Sequence, residues 1–511
     1  MKKTQDNLPN IVYILEDHQA YYNHGSKFRG DAPEIYRPVF NRFASEGVEF
    51  TRCYTATPLC GPARRTMLTG LYPHNHREIK NETNHPYDRE VYFDKLTEQG
   101  YKQYYLGKWH AGKGTAADFG IETISTPGYG NPYTMPEYYE YLVEKNLPHI
   151  KVRLEHVFHI PEVWDHYGFK IGGEYECKFM ANHEHAAGLM LTPKETHETF
   201  FFADRACKKL EEIAEARKMG DTRPFHLRID FWSPHQPYWA HPDYKRLYKA
   251  DKIPEHPNFD NNLSNKPNIY KYDINYPMAT NKILNYPNPV PWSTFAEVLT
   301  YNYAQQTMTD EAAGIILDKL KEMNLDINTI IIWTTDHGDA IGCWGGHFDK
   351  EAYMPEEMIR VPFAVKFQGH IEPGQISDKL ISNIDVAPTI LDIANTSFDK
   401  SVDGDSILPL CKDPNSHWRD DVMIQTYGNL ETHHARCIVT DQYKYVYNWE
   451  DMDELYDLKN DPSELNNLID NPYYETVLED MKLRLKRWRE KTKDTVERTW
   501  IRGKKLKVPK S

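Results

Sequence analysis

Within this 511-residue chain, the stretch Cys60-Gly61-Pro62-Ala63-Arg64-Arg65-Thr66-Met67-Leu68-Thr69-Gly70 combines a nucleophile, a cation and the start and stop signals of a short helix. Pro62 suits a first helical turn and Gly70 the position just past the end, so Cys60 falls at or beside the N-cap. Free N–H groups and the positive end of the helix dipole favour a developing anion there. A nucleophile so placed would face an anionic substrate. A buried cysteine ahead of an ordinary helix shares the bare Cys-x-Pro-x-Arg spacing, so the chemical reading needs partners elsewhere.

Two apolar runs supply candidates. Ile11 to Leu15 leads into Glu16-Asp17-His18, and Thr329 to Thr335 leads into Asp336-His337-Gly338-Asp339. Continuous apolar runs predict strands buried on both faces of a mostly parallel sheet, and ligands bind beyond the carboxyl ends of such strands. One terminal Asp also suits a turn or a helix cap. Two of them, one joined to His, would bring oxygen and nitrogen donors to one sheet edge and favour a metal. Lys108 and His110 follow the predicted strand 101–106 and could give one pocket a fixed cation and an acid/base, or could be solvated loop side chains. His235 lies between Pro234 and Pro237, in a rigid turn that suits an active-site acid or a purely structural bend.

Cys60, Pro62 and Arg64, with Leu68-Thr69-Gly70 after them, match the signature of the type I sulfatases of the alkaline phosphatase superfamily. The chain resembles that family in order from Pro9 to Leu468, through Gly107-Lys108-Trp109-His110, the Pro-His-x-Pro string at 235, Lys350 and the late string Leu455 to Glu464; only the insertion after Gly120 is unmatched. The resemblance implies a sulfuric ester hydrolase whose Cys60 is oxidised to formylglycine by a maturation enzyme. A hydrated aldehyde carries two hydroxyls: one takes the sulfuryl group, and the other, once deprotonated, collapses to the aldehyde and expels sulfate. By the family's pattern Asp17, Asp336 and His337, with residue 60, hold a divalent cation, calcium before magnesium or manganese. Arg64, Lys108 and Lys350 would offset negative charge, His110 would assist collapse, and His235 would protonate the leaving oxygen. One departure stands out: the family shows two adjacent Asp residues after the first strand, whereas here Asp17 is followed by His18 and preceded by Glu16. Asp17 is carried over, and the other two stay open, because a one-residue shift would turn the side chains to the opposite face.

The elements that must position these residues follow from pattern. The expected fold is α/β: a large, mostly parallel or mixed central sheet flanked by helices, with a smaller C-terminal α+β subdomain containing a short antiparallel sheet. We divide the chain into a catalytic domain at 1–395 and a C-terminal subdomain at 396–511. Helices are expected over 40–47 with Gly47 as C-cap, 92–100, 196–216, 295–323 and 474–491. Residues 120–192 lack periodicity and are rich in Tyr, Gly, Pro and His, so they read as a long insertion over the site whose aromatics stack on sugar or pack the loop down.

A net charge of −14 argues against nucleic acid or anionic membrane as a partner and requires any anion to be held by a few placed cations. Seven cysteines without metal-ligand or disulfide spacing, and no apolar run behind Lys2-Lys3, point to the cytoplasm. The expected substrate is a small sulfated mono- or oligosaccharide. Rival readings are a phosphonate monoester hydrolase or phosphodiesterase of the same superfamily, and a non-catalytic glycan-binding relative with an unmodified Cys60. Oligomeric state is left open.

Overall fold

A computed structural model describes residues 8–21, 34–158, 162, 168–177, 185–351 and 353–495. Nine strands form a mixed central sheet in the order Gln375–Ser377, Val48–Tyr54, Arg360–Phe367, Thr329–Thr335, Asn10–Glu16, Phe225–Asp230, Lys102–Gly107, Glu122–Ile124, with Ile381–Ser382 also pairing Val48–Tyr54. The first strand, Asn10–Glu16, runs parallel to both neighbours, while Arg360–Phe367 is antiparallel to the strands beside it.

Alternation along the central strands explains why they are apolar throughout. Ile11, Tyr13, Leu15, Ile330 and Ile332 face one core, and Val12, Ile14, Ile331 and Trp333 face another. The first core contains Met67 and Leu68 from the helix Cys60–Thr69 and Ile390 and Leu391 from Val386–Ile393. The second contains residues of the long helices Glu198–Lys218 and Trp292–Glu322. Each fully buried aliphatic side chain contributes about 1.5–3 kcal/mol.

Register brings chemistry to one edge. Leu15 pairs with both Thr334 and Asp230, and Gly107 also pairs with Asp230, so Asp17, Asp336, Asp230 and Lys108 all leave the sheet at the carboxyl ends of adjacent strands.

One expectation is corrected. Gly47 is not a helix C-cap: the helix Pro38–Ser45 is capped by Glu46, and Gly47 is small because a Cβ there would lie 2.1 Å from the Val365 carbonyl oxygen. The insertion at 120–192 carries regular structure despite its lack of periodicity, although 159–161, 163–167 and 178–184 within it lie outside the described residues. It contains the helix Pro136–Glu144, and its strands Glu174–Glu176, Lys151–Val157 and Ala186–Met190 form a sheet with Tyr238–Ala240, just past His235. Tyr133, Tyr138 and Tyr141 are buried in its core. Towards the C-terminus, Val422–Gly428, Thr432–Val439, Tyr443–Asn448 and Glu454–Asp457 make an antiparallel sheet covered by the helix Glu475–Thr492.

Candidate active site

Leu59 is extended and Cys60 is the first residue of the helix Cys60–Thr69, which ends at Gly70 with φ 65°. The left-handed cap and a contact of 3.2 Å from a built Cβ to Pro388 explain why glycine stands there. All ten helix residues are buried, so Cys60 is aimed inward.

There its Sγ lies 3.0 Å from His337 Nε2 and 3.7 Å from Asp17 Oδ1. One donor atom from each of Asp17, Cys60, Asp336 and His337 falls within 4.8 Å of the others. His337 Nδ1 faces the Gly338 carbonyl at 2.9 Å, so that nitrogen carries the proton and the Nε2 lone pair points at the cluster. Burial pushes the pKa of His337 down and keeps the ring neutral, as a ligand must be. Asp336 Oδ1 accepts from the backbone N–H groups of His337, at 2.9 Å, and His18, at 3.1 Å.

Cations wrap this group. Arg64 is fully buried and donates from Nε to Asp336 at 2.9 Å and from Nη1 to Asp230 at 3.0 Å, while Nη2 stands 3.7 Å from Asp17. Lys108 donates to the other oxygen of Asp17, and its ammonium lies 3.9 Å from the centre of the Tyr129 ring. Burial raises the pKa of Asp17, but Lys108 and Arg64 outweigh it and hold this carboxyl well below the usual range.

Across the site, Lys350 Nζ donates to His235 Nε2 at 3.0 Å. His235 Nδ1 faces the Gln236 carbonyl at 2.6 Å and the Tyr129 hydroxyl at 3.1 Å. Burial and then Lys350 push the pKa of His235 well down, while burial also opposes the charge of Lys350 but is outweighed by Asp349 together with residue 60, Asp17 and Asp336, which keep that ammonium charged. His110 Nε2 meets Glu82 Oε1 at 3.1 Å, and His110 occupies the left-handed backbone region at φ 40°, a conformation that stores strain and clusters at functional sites.

This arrangement can bind a tetrahedral anion with fixed cations, hold a divalent metal and move a proton through a buried lysine–histidine pair. A family model for sulfatases matches residues 9–396. The chain belongs to the sulfatase family. A second model, the C-terminal region of N-sulphoglucosamine sulphohydrolase, matches residues 342–491. This sulfatase is 25% identical to an ulvan-active sulfatase of Formosa agariphila, over 93% of its own chain and 80% of that one. It is equally 25% identical to an N-acetylglucosamine-6-O-sulfatase of Bacteroides thetaiotaomicron, over 93% and 85% of the two chains. Its fold superimposes on the phosphonate monoester hydrolase SpPMH of Silicibacter pomeroyi with a TM-score of 0.74 at 18% identity, covering 96% and 97%.

The family implies a divalent metal and a formylglycine. The residues present fit the metal: two carboxylates and a neutral imidazole lone pair converge beside residue 60. All of Asp17, Cys60, Arg64, Lys108, Asp336 and His337 meet at this centre, His235 and Lys350 form a pair beside it, and the His110 ring lies 5.7 Å from that of Tyr129. Glu16 is outside: its carboxylate pairs with Arg37 and accepts from Trp333 Nε1 at 2.6 Å, on the opposite face of the strand. His18 turns at φ 70° and sets its ring 4.8 Å from that of His235 and 5.0 Å from that of His337. Sequence reasoning missed Asp230, Tyr129 and Asp349. Asp230 carried a weaker form of the signal at Asp17 and Asp336, an acid at the end of a strand whose apolar residues alternate with His226 and Arg228, and Asp349 adjoins Lys350. Tyr129 had none, since nothing in its local sequence separates it from the buried tyrosines nearby.

Proposed function

We propose that this sulfatase hydrolyses a sulfate ester of a small sugar or oligosaccharide, using a formylglycine made from Cys60 by a separate maturation enzyme. The observation that carries the reading is the convergence of Cys60, Asp17, Asp336 and His337 within 4.8 Å, backed by buried Arg64 and Lys108. The sugar class is supported by the names of two relatives, one active on ulvan and one on N-acetylglucosamine-6-O-sulfate.

The formylglycine supplies a geminal diol, one hydroxyl to receive the sulfuryl group and one to release it. Asp17, Asp336 and His337, with residue 60, would hold the divalent metal, which would supply positive charge to the site. The protein does the rest. Arg64 and Lys108 hold negative charge in place and are themselves fixed by Asp230, Asp336 and Asp17, so little reorganisation is needed. The Lys350 ammonium donates to His235 Nε2, and the role of the pair is to deliver a proton to the leaving oxygen. His110, anchored by Glu82, takes the proton from the second hydroxyl. Calcium is the family expectation, but calcium prefers six to eight oxygen donors, and the His337 imidazole suits manganese as well. None of the seven cysteines forms a disulfide, which supports a reducing compartment. No helix among the described residues is long and apolar enough to cross a membrane.

A second reading, hydrolysis of phosphonate monoesters or phosphodiesters, is favoured by the presence of His18 where the family has a second Asp. One carboxylate fewer changes the charge the site must balance. The deciding experiment compares kcat/KM across sugar sulfates, aryl sulfates, phosphodiesters and phosphonate monoesters on matured enzyme. Sulfate esters winning supports the proposal, and phosphorus esters winning throughout replaces it.

A further inference from the structure

Far along the chain from the Cys60 centre, a groove of about 580 Å³ runs along the seam between the helix Glu475–Thr492 and the strand Tyr443–Asn448. The helix packs Met481, Leu485 and Trp488 onto the sheet beside Ile438, Tyr445 and Leu455. One position further round, Lys482, Lys486, Arg489 and Lys493 line the groove at steps of four, three and four residues, the spacing of a single helix face. Tyr445 and Tyr447 form its other wall.

Acids beside the row pair with it only in part: Asp494 is buried, held by Arg436 at 2.6 Å and 3.5 Å from Arg489, while Lys482 meets Glu479 at 3.0 Å and Lys486 meets Glu490 at 3.8 Å, exposed pairs that contribute little. A concentrated positive row is unexpected on a chain of net charge −14. The sequence that continues from Thr495 adds six lysines and arginines against the one acid Glu497, so charge complementarity argues for an anion in the groove and against that basic sequence.

We propose that this groove is a second binding site, for a sulfated sugar chain, separate from the site that cleaves it. The row of cations meets successive sulfates, and the half-buried Tyr447 ring offers a flat apolar face to a sugar between them. The inference rests on the sugar-sulfate reading of the active site and extends it: the enzyme would hold an oligosaccharide by sulfates that it does not cut. Because Lys482, Lys486 and Lys493 are exposed, binding should be strongly salt-dependent and vanish near 1 M salt, where the screening length is about 3 Å.

The test uses the full-length enzyme with fluorescent dextran sulfate oligomers as probe, neutral dextran as control and single-stranded polyuridine as the rival polyanion. A Lys482→Glu, Lys486→Glu, Lys493→Glu variant should bind dextran sulfate at least about tenfold more weakly, with kcat/KM for a small aryl sulfate within about twofold of wild type. Replacing the same three residues by Gln guards against misfolding and should give an intermediate loss, and Tyr447→Ala a smaller one. Unchanged affinity for dextran sulfate in both triple variants would overturn the proposal, as would tighter binding of polyuridine than of dextran sulfate at equal charge. Failure of the active-site reading looks different: the groove variants would still lose dextran sulfate while no sugar sulfate was turned over.

Discussion

Lys350 Nζ donates to His235 Nε2 at 3.0 Å, and the same histidine is pinned through Nδ1 by the Gln236 carbonyl at 2.6 Å. A histidine held this way cannot rotate, and its proton inventory is tied to that of the lysine.

Removing the lysine charge should therefore reveal the pair. Burial and Lys350 both lower the pKa of His235, so in Lys350→Gln the second push is gone and the pKa rises. The limb of the pH–rate profile set by His235 should move to higher pH. Turnover of sugar sulfates, whose leaving oxygen needs a proton, should fall about 10²–10⁴-fold, and turnover of an activated aryl sulfate much less. Equal losses on both substrates would show that Lys350 serves binding alone.

Arg64 is wholly buried among Asp17, Asp230 and Asp336. Arg64→Met leaves three carboxylates without their shared partner, and breaking a buried network of this kind costs about 3–5 kcal/mol. Denaturant unfolding of the unmodified protein reads this directly, and a loss below about 1 kcal/mol would mean that the acids are satisfied elsewhere.

The metal assignment is tested by Asp336→Asn, which keeps the shape but removes a charged ligand, its single amide oxygen replacing only one of the two oxygens that accept from Arg64 Nε and from the backbone N–H groups of His18 and His337. Elemental analysis of the wild type should find one equivalent of calcium or manganese, and the variant should lose at least about 90% of it, with activity lost in parallel. Full metal content in the variant would refute the site.

Glu198 supplies a pH prediction away from the metal. It accepts from Ser233 N at 3.0 Å and Ser233 Oγ at 2.6 Å, and Ser233 O in turn accepts from Asp17 N at 3.1 Å. Burial raises its pKa to about 7 from 4.5. A raised folded-state value means that stability is greatest below pH 4.5, where both states are protonated, and falls as pH rises through 7. Glu198→Gln removes that penalty, so its stability relative to wild type should climb between pH 4.5 and 7 by an amount on the order of 3 kcal/mol. A difference independent of pH would show that Glu198 is ionised in the fold throughout.

Much of this was legible because the signals were local. Asp17 and Asp336 end runs whose unbroken apolarity reports burial on both faces, and Gly70 ends a helix that Pro62 helps to start. What the sequence withheld were pairings across the fold. Glu16 and His18 flank Asp17 equally in sequence. Only the pleat, which points Glu16 at Trp333, and the left-handed turn at His18 separate them. The insertion hid its strands because their partners are remote: Ala186–Met190 pairs with Tyr238–Ala240, and Lys151–Val157 carries a register shift that blurs its alternation. Tyr129 reaches His235 across 106 residues, a contact that no periodicity encodes.

The account turns on residue 60. Mass spectrometry of the peptide spanning Cys60 to Arg64, taken from enzyme that turns over a sulfate ester, should show the aldehyde or its hydrate at position 60. Activity should scale with that fraction across preparations and vanish in Pro62→Ala and Arg64→Ala, which should retain the thiol. Full activity from protein carrying only the thiol at residue 60 would contradict the central claim.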